Sequence, residues 1–341
     1  MEYPLISIVI PNKDDWNFVL NLGKVLQNQT YQNFELIVID SSQITTDNSA
    51  QIKALNLLYP SNLTIHKSRR TYPGQARNIG ASIAHGVYIA FMDAKTIPHE
   101  KWLESYLETF LASSSELIIG TFESSDEKLN WLQRAIKANT YGNILRSSVP
   151  GSLLLKTSFW ESKGFNENVG AGEDLEWIER VKKLNWSISR APITAFEYIG
   201  YPKTVTMLLK KWIFYSIENA KLNILATQKS LYFLLLSIFL LYFIYSWNYL
   251  FTNGLWDASP NFIPNLNTII WSVTFLLYFL FRAIILPLYK KERFFNIFPF
   301  HWILIGCVGL LIDVLKIPGR IYGVWRIIKS TSDISTDIPE D

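Results

Sequence analysis

Residues 74–95 read GQARNIGASIAHGVYIAFMDAK, and two kinds of pattern meet inside them. GQARNIGASIA (74–84) predicts a helix opened by Gly74. VYIAFMD (87–93) is a short apolar run, which predicts a buried strand. The strand ends on a carboxylate, Asp93. Working outward toward residue 1, the same alternation recurs. LTIHK (63–67) is a short strand and 47–58 a helix. FELIVID (34–40) is a strand that also ends on a carboxylate, Asp40. Residues 14–27 carry Trp16, Val19, Leu20, Leu22, Val25 and Leu26 on approximately one helical face, and LISIVI (5–10) is a first strand that stops at Pro11. That run meets the polar NKDD without a basic leader or a small-residue cleavage site, so it reads as a strand and not as a signal peptide.

Working toward residue 200, HEKWLESYLETFL (99–111) is a helix, ELIIGTF (116–122) a strand, 126–139 a helix and SLLLK (152–156) a short strand. Strands alternating with helices predict an α/β fold, with a mostly parallel sheet covered on both faces. Open sheets of this kind bind ligands beyond the carboxyl ends of their strands. Asp40 and Asp93 stand at such ends, so the site is expected there. GAGEDLEWIERVKKL (170–184) adds an amphipathic helix whose first turn holds Glu173 and Asp174. The helix dipole and free backbone N–H groups favour carboxylates at that position. A plain helix start accounts for them too, but the glycines before them leave room for a substrate.

The chain has 341 residues and a net charge of +3, with a hydrophobic fraction of 49%. So mild a charge gives no nucleic-acid signature. Cys307 is a lone thiol within an apolar run, which excludes an internal disulfide and gives no metal-binding pattern. The apolar excess lies after about residue 230. Residues 231–251 carry no charge over a length that matches the roughly 20 residues needed to cross a bilayer. Residues 268–289 form a second apolar segment, interrupted by Arg282, and 301–315 a third.

Three regions are therefore expected: a catalytic domain over 1–225 that includes a juxtamembrane helix (203–225), a membrane region over 226–315, and a basic interfacial helix with an acidic tail over 316–341. Lys210, Lys211, Lys221, Lys290, Lys291 and Arg293 flank the apolar segments, while 252–267 has no Lys or Arg. The positive-inside rule places the first domain and the 290–293 loop in the cytoplasm. Basic residues at both ends of the third segment favour a re-entrant or interfacial hairpin over a full crossing. Arg282 lies roughly 12 Å from the cytoplasmic boundary at helical rise. It either snorkels or contacts a lipid head group. A full crossing is expected to separate it from Asp313, and a re-entrant segment to allow the pair.

SIVIPNKDD, FELIVIDSS, GQARNIGASIAHGVYIAFMDAK and GAGEDLEWIER occur in this order. Together they resemble the family-2 glycosyltransferases, which have the GT-A fold, over roughly residues 5–200. The resemblance implies a Rossmann-like sheet flanked by helices, and transfer of a sugar from a nucleotide-diphosphate donor. Pro11 and Asp15 would line the base and ribose pocket, Asp40 would hydrogen-bond the base, and Arg77 would face the nucleotide and sugar. Asp93 would open the DXD motif. Asp174, with Glu173 beside it, would be the general base that deprotonates the acceptor.

Where relatives have Asp-X-Asp, this chain has Asp93-Ala94-Lys95. A charged lysine cannot ligate a metal. Three readings stay open: Asp93 alone holds Mg²⁺ or Mn²⁺ with the diphosphate and water, Lys95 neutralises the diphosphate without a metal, or the domain has lost activity. Lys13 stands where relatives often carry an aromatic near the base. LLKKW (208–212) lacks the glutamine of the Gln-x-x-Arg-Trp found in processive synthases, which argues for transfer of one sugar. Trp212 is expected at the membrane interface, as a candidate contact for the lipid or acceptor, and Trp160, Trp177 and Trp186 in the core. Arg69 and Arg70 either approach phosphate or sit in a solvated loop. His66, His85, His99 and His301 have no metal-ligand spacing.

The expectation is a membrane-bound hexosyltransferase whose acceptor is lipid-linked or membrane-proximal. The rival is a non-catalytic nucleotide-sugar-binding scaffold for other membrane enzymes.

Overall fold

The computed structural model describes residues 4–42, 48–69, 71–124, 129–222 and 263–319, with isolated residues between 234 and 248 and between 321 and 325. The first half alternates as its sequence pattern requires: β1 (Ile6–Asn12), α1 (Trp16–Leu26), β2 (Phe34–Asp40), α2 (Ser49–Leu58), β3 (Leu63–Lys67), α3 (Pro73–Ile83) and β4 (Tyr88–Phe91). Then come β5 (Thr96–Pro98), α4 (Trp102–Ala112), β6 (Leu117–Ser124), α5 (Trp131–Asn139), β7 (Arg146–Leu155), α6 (Lys156–Glu161), α7 (Glu173–Lys183), β8 (Ile188–Ser189), β9 (Phe196–Tyr198) and α8 (Val205–Ala220).

One sheet holds these strands in the order β3-β2-β1-β4-β7-β6-β9-β5, with β8 beside β6. The pairs β3–β2, β2–β1 and β1–β4 are parallel, as are β6–β8 and β6–β9, whereas β7 runs antiparallel to both β4 and β6, and β5 antiparallel to β9. The sheet is thus mostly parallel and flanked by helices, as expected. Strand residues alternate between its two faces. Ile6, Ile8, Ile10, Leu36 and Val38 enter one core with Trp16 and Trp102. Val9, Ile37, Ile39, Ile89 and Phe91 enter the other with Phe165 and Trp177. This is the period-2 signature of a strand buried on both sides.

Register fixes the site. Asn12 pairs with Asp40, and Val9 pairs with Phe91, two residues before Asp93. The carboxyl ends of β1, β2 and β4 therefore open on one edge. Gly80 lets α3 lie close on β1, because a Cβ there would run into the Val9 side chain.

Several expectations need correction. Of SLLLK (152–156), the first four residues end a ten-residue strand, β7, whose first residues are mostly polar and so gave no apolar signal, and Lys156 opens α6. The short strands β5, β8 and β9 had no sequence signature. Trp177 is fully buried, but Trp160 is 41% exposed and not a core residue. Residues 43–47 and 125–128, within which the helices 47–58 and 126–139 were expected to begin, lie outside the described residues, as do Arg70 and most of 231–251 and 316–341.

Beyond α8 the described chain forms α9 (Leu266–Tyr289), α10 (Phe294–Ile297) and α11 (His301–Leu315). The helix Leu266–Tyr289 and the helix His301–Gly319 are long and apolar enough to cross a membrane, with hydropathies of 2.2 and 1.8. α9 widens into a π turn at Phe281–Ile285. The two helices run antiparallel: Gly306 faces Phe279 and Ala283, Gly309 faces Arg282, and Asp313 meets Arg282 Nε at 3.0 Å and the Tyr278 hydroxyl at 2.8 Å. Arg282 Nη2 also donates to the Gly309 carbonyl at 2.9 Å.

The expectation that a full crossing would separate Arg282 from Asp313 is therefore wrong. An antiparallel pair puts them at one level in either topology. α11 also packs along the first domain, where Ile305, Val308 and Ile312 join Leu132, Ala135 and Ile136 of α5 and Leu208 of α8. Trp212 lies at the edge of that cluster, partly buried. Below it, Lys137 reaches Glu292 at 3.4 Å, and Lys290 Nζ donates to the carbonyls of Asn139 (2.5 Å) and Thr140 (2.8 Å).

Candidate functional site

The edge above β1 and β2 is a small polar network. Asn12, 2% exposed, donates through Nδ2 to Asp40 Oδ1 at 3.0 Å. Asp40 Oδ1 also accepts the Ser42 amide at 3.1 Å, and Asn12 Oδ1 accepts the Asp15 amide at 3.2 Å. Between them Asp14 takes a left-handed φ of 58°, which turns the chain sharply into α1, and its amide donates to Ser42 Oγ at 2.7 Å. Asp15 Oδ2 then meets Lys95 Nζ at 2.6 Å, and that ammonium lies 5.4 Å from the centre of the Phe18 ring. Pro11 closes the end of β1, and Lys13 is exposed.

Arg77 is the centre of the second network. It sits on the buried face of α3 at 3% exposure. Nη2 meets Asp93 Oδ1 at 2.7 Å and Nη1 meets Glu173 Oε1 at 2.6 Å. Its face covers the Phe165 ring at 5.5 Å. The neighbouring residue, Asn78, clamps the loop beneath: Nδ2 donates to the Phe165 carbonyl at 2.9 Å and Oδ1 accepts the Phe165 amide at 2.8 Å. Gly74, at the start of α3, has the Asn166 carbonyl and the Glu173 side chain where a Cβ would go. So ARN and GED, almost a hundred residues apart, are packed as one unit.

α7 begins with Gly172 at φ 85°, and Glu173, Asp174 and Glu176 occupy its first turn. Glu173 is 5% exposed and Asp174 half-buried. Desolvation raises the pKa of both carboxyls, opposed by the Arg77 charge; the Asp174 charge adds to the rise at Glu173, and the Asp93 charge adds to that at Asp174. Burial works against the charge on Arg77, yet Asp93, Glu173 and Asp174 hold it firmly protonated. A buried cation between two carboxylates is costly to break, because whichever partner remains is left uncompensated.

Facing this from the α8 side are groups that sequence reasoning missed. Tyr198 pairs across β9 with Thr96 of β5. Lys211 Nζ donates to the Tyr198 hydroxyl at 3.1 Å and stands over the rings of Tyr198, Trp212 and Tyr215 at 5.5–5.9 Å. Burial raises the pKa of Tyr141 and Tyr198, so both stay neutral. Asn12 and Asn78 lie inside the motifs quoted above and were legible there. Tyr198 and Lys211 come together only through the sheet order.

The structure thus brings Pro11, Asp15, Asp40, Arg77, Asp93, Lys95, Glu173 and Asp174 to one edge. It does not bring Arg282 there, since that side chain is held against α11, and Trp212 belongs to the α8–α11 contact. Arg69 is exposed. A cavity of about 320 Å³ lined by Gln27, Phe34, Leu58 and Asn62 lies at the opposite, amino-terminal ends of the strands and is not part of this edge.

Among the described residues no cluster of three or more His, Cys, Asp or Glu could hold a metal. Asp93 has Oδ1 on Arg77 and keeps 39% of its side chain exposed. That fits a hard cation only as one carboxylate contact, shared with a diphosphate and water.

Residues 7–167 match the family model described as Glycosyl transferase family 2. Among curated relatives, glycosyltransferase GlyG of Streptococcus pneumoniae is 29% identical over 124 residues, 36% of this chain and 40% of the relative. An uncharacterized glycosyltransferase of Haemophilus influenzae is 33% identical over 143 residues, 39% of this chain and 53% of the relative. The chain spans about half the length of these relatives or less. Among solved structures, the mannosyltransferase PcManGT of Pyrobaculum calidifontis, in complex with GDP-Man and Mn²⁺, superimposes with a TM-score of 0.49 at 14% identity, covering 97% of this chain and 88% of that one. Residues 7–167, which hold Asp40, Arg77 and Asp93, are thus similar to a glycosyl transferase family 2 domain.

Proposed function

We propose that the chain transfers one sugar from a nucleotide-diphosphate donor to a lipid-linked or membrane-proximal acceptor on the cytoplasmic face of a membrane, with inversion at the anomeric carbon. The observation that carries the reading is the bridge Asp93–Arg77–Glu173, with Asp174 at its end. It gives a strand-end carboxylate, a buried cation and a candidate base in one rigid group.

In this reading Pro11, Asp15 and Asp40 line the nucleoside pocket, and Asn12 holds the Asp40 carboxylate in place. Asp174 takes the proton of the acceptor hydroxyl as its oxygen bonds to the anomeric carbon. The bond from that carbon to the diphosphate breaks, and the nucleoside diphosphate leaves with the electron pair. Lys95, half-exposed beside Asp15, supplies positive charge to that leaving group. Where a divalent cation binds, Asp93 would be the residue that holds it, and the cation would supply Lewis-acid neutralisation of the same charge. Arg77 fixes Asp93 and Glu173 relative to each other. The apolar helices α9 and α11 support a membrane-held acceptor: an active site joined to them meets substrates confined to the bilayer surface.

The test is nucleotide release by the detergent-purified full chain from UDP-glucose, UDP-N-acetylglucosamine, UDP-galactose, GDP-mannose and dTDP-rhamnose, with lipid extract as acceptor. Each donor is run with Mg²⁺, Mn²⁺ or EDTA. Release from at least one donor that depends on lipid supports the reading. Saturable donor binding without release in any arm supports the non-catalytic scaffold instead.

A further inference from the structure

The loop that carries the candidate base does not stand alone. Val169, Gly170 and Gly172 all rest on α8 and the residues just after it. The Gly170 amide donates to Glu218 Oε2 at 2.7 Å in a buried contact. A Cβ on Gly170 would strike the Phe214 and Tyr72 rings, and one on Gly172 would strike Asn219 and Leu222. Val169 and Leu222 form a small apolar cluster of their own. Glu218 is 5% exposed, on a helix whose other described charged side chains are the exposed Lys210 and the partly exposed Lys211. Its second oxygen meets Lys221 Nζ at 2.5 Å.

A buried carboxylate on a helix next to an apolar region is costly unless something uses it. Here it binds a backbone amide three residues before Glu173 and four before Asp174. On the opposite side Asn78 holds Phe165. The segment 165–172 is therefore clamped at both ends, by α3 below and by α8 above.

We infer that Glu218 is a positioning residue: by accepting the Gly170 amide it sets the start of α7, so that Glu173 meets Arg77 and Asp174 faces the acceptor. This deepens the reading under Proposed function and rests on it for the role of Asp174. Glu218 itself touches neither the carboxylates nor Arg77 among the described contacts. Because α8 leads directly toward the apolar segments, the same contact ties the geometry of the base to the seating of the juxtamembrane helix.

The test separates the hydrogen bond from the charge. Glu218→Gln keeps an acceptor oxygen at the same reach and loses the charge. Glu218→Asp keeps the charge for Lys221 but is one methylene short of Gly170. Each full-length variant, purified in detergent, is compared with the wild type by hydrogen exchange of the 165–175 segment and by nucleotide release from the five donors above. The expected result is that Glu218→Asp exchanges about tenfold faster in that segment, as for loss of a bond to a charged group, and that Glu218→Gln stays within about threefold of the wild type. In turnover, Glu218→Asp loses at least about tenfold in kcat with donor KM within about threefold, and its acid limb shifts, while Glu218→Gln restores kcat.

Wild-type exchange or wild-type kcat in Glu218→Asp overturns the inference, as does equal loss in both variants. If no chain, wild type included, turns over any donor but the exchange pattern holds, the clamp stands and the enzymatic reading fails. If the donors turn over and the exchange pattern does not hold, the clamp fails alone.

Discussion

At the residue scale the account turns on Arg77 and Asp174. Arg77 bridges Asp93, just after β4, and Glu173 at the start of α7. Removing it leaves Asp93 and Glu173 facing each other with no cation between them, and breaking a buried pair in this way costs roughly 3–5 kcal/mol. Arg77→Ala should therefore lower the unfolding midpoint in denaturant well beyond an exposed control such as Arg69→Ala; an unchanged midpoint would mean that the bridge is not formed in solution. Asp174 makes the opposite prediction. Its pKa is raised by desolvation despite Arg77. A carboxyl raised in the fold binds its proton more tightly there than in the unfolded chain. The stability it contributes is thus complete below about pH 4, the unfolded value, and is lost as pH rises through the folded value. Asp174→Asn, neutral at every pH, should raise Tm at pH 7 relative to the wild type, with the gain shrinking toward pH 4. A Tm lowered at pH 7 would show that the carboxylate is stabilised as an anion. A site that is paid for in stability is a common pattern in enzymes. The motifs made Arg77, Asp93 and Asp174 legible in the sequence. The contact between Arg77 and Glu173 was not, because nothing local links residues 96 positions apart.

At the element scale the strands of the first half were legible because each is buried on both faces and so reads as an apolar run between turn residues. β7 was half hidden. Its first residues, Arg146, Ser147 and Ser148, are partly exposed and polar, and only SLLL shows. β5 and β9 are three residues each, too short to carry a period. The start of α7 shows how backbone geometry and packing combine. Gly172 has a φ of 85°, and its missing side chain leaves room for Asn219 and Leu222. A side chain there meets both a strained φ and an occupied site. Gly172→Ala should cost at least about 1 kcal/mol, read as a lower Tm, and should lower turnover further than Tm alone accounts for. A Tm equal to that of the wild type would indicate that α7 starts elsewhere. The glycine pair in GAGED was visible from the sequence, but its partner, α8, was expected only as a juxtamembrane helix.

At the scale of the whole molecule, the expected boundary at residue 225 divides what the structure joins. α11 fills one face of α5 and part of α8 through Ile305, Val308 and Ile312, and the Lys137–Glu292 and Lys290 contacts fasten the turn between the helices. A chain ended at 225 should expose Leu132, Ala135, Ile136 and Leu208 and aggregate without detergent, whereas one that keeps residues to 319 should be monodisperse in detergent, both read by size-exclusion chromatography. A monodisperse, soluble 1–225 fragment would show that the first domain needs no cover. The same packing places the candidate base, α8 and the apolar helices in one body, and so favours an acceptor presented at the bilayer. The most direct test of that claim is transfer of labelled sugar from the donor identified by nucleotide release into an organic-extractable product, in membrane vesicles carrying either the wild type or Asp174→Asn. The account predicts label in the organic phase for the wild type and a loss of at least about a hundredfold for Asp174→Asn, the lower end for a missing general base. Label that stays in the aqueous phase, or an Asp174→Asn chain that transfers as well as the wild type, would contradict it.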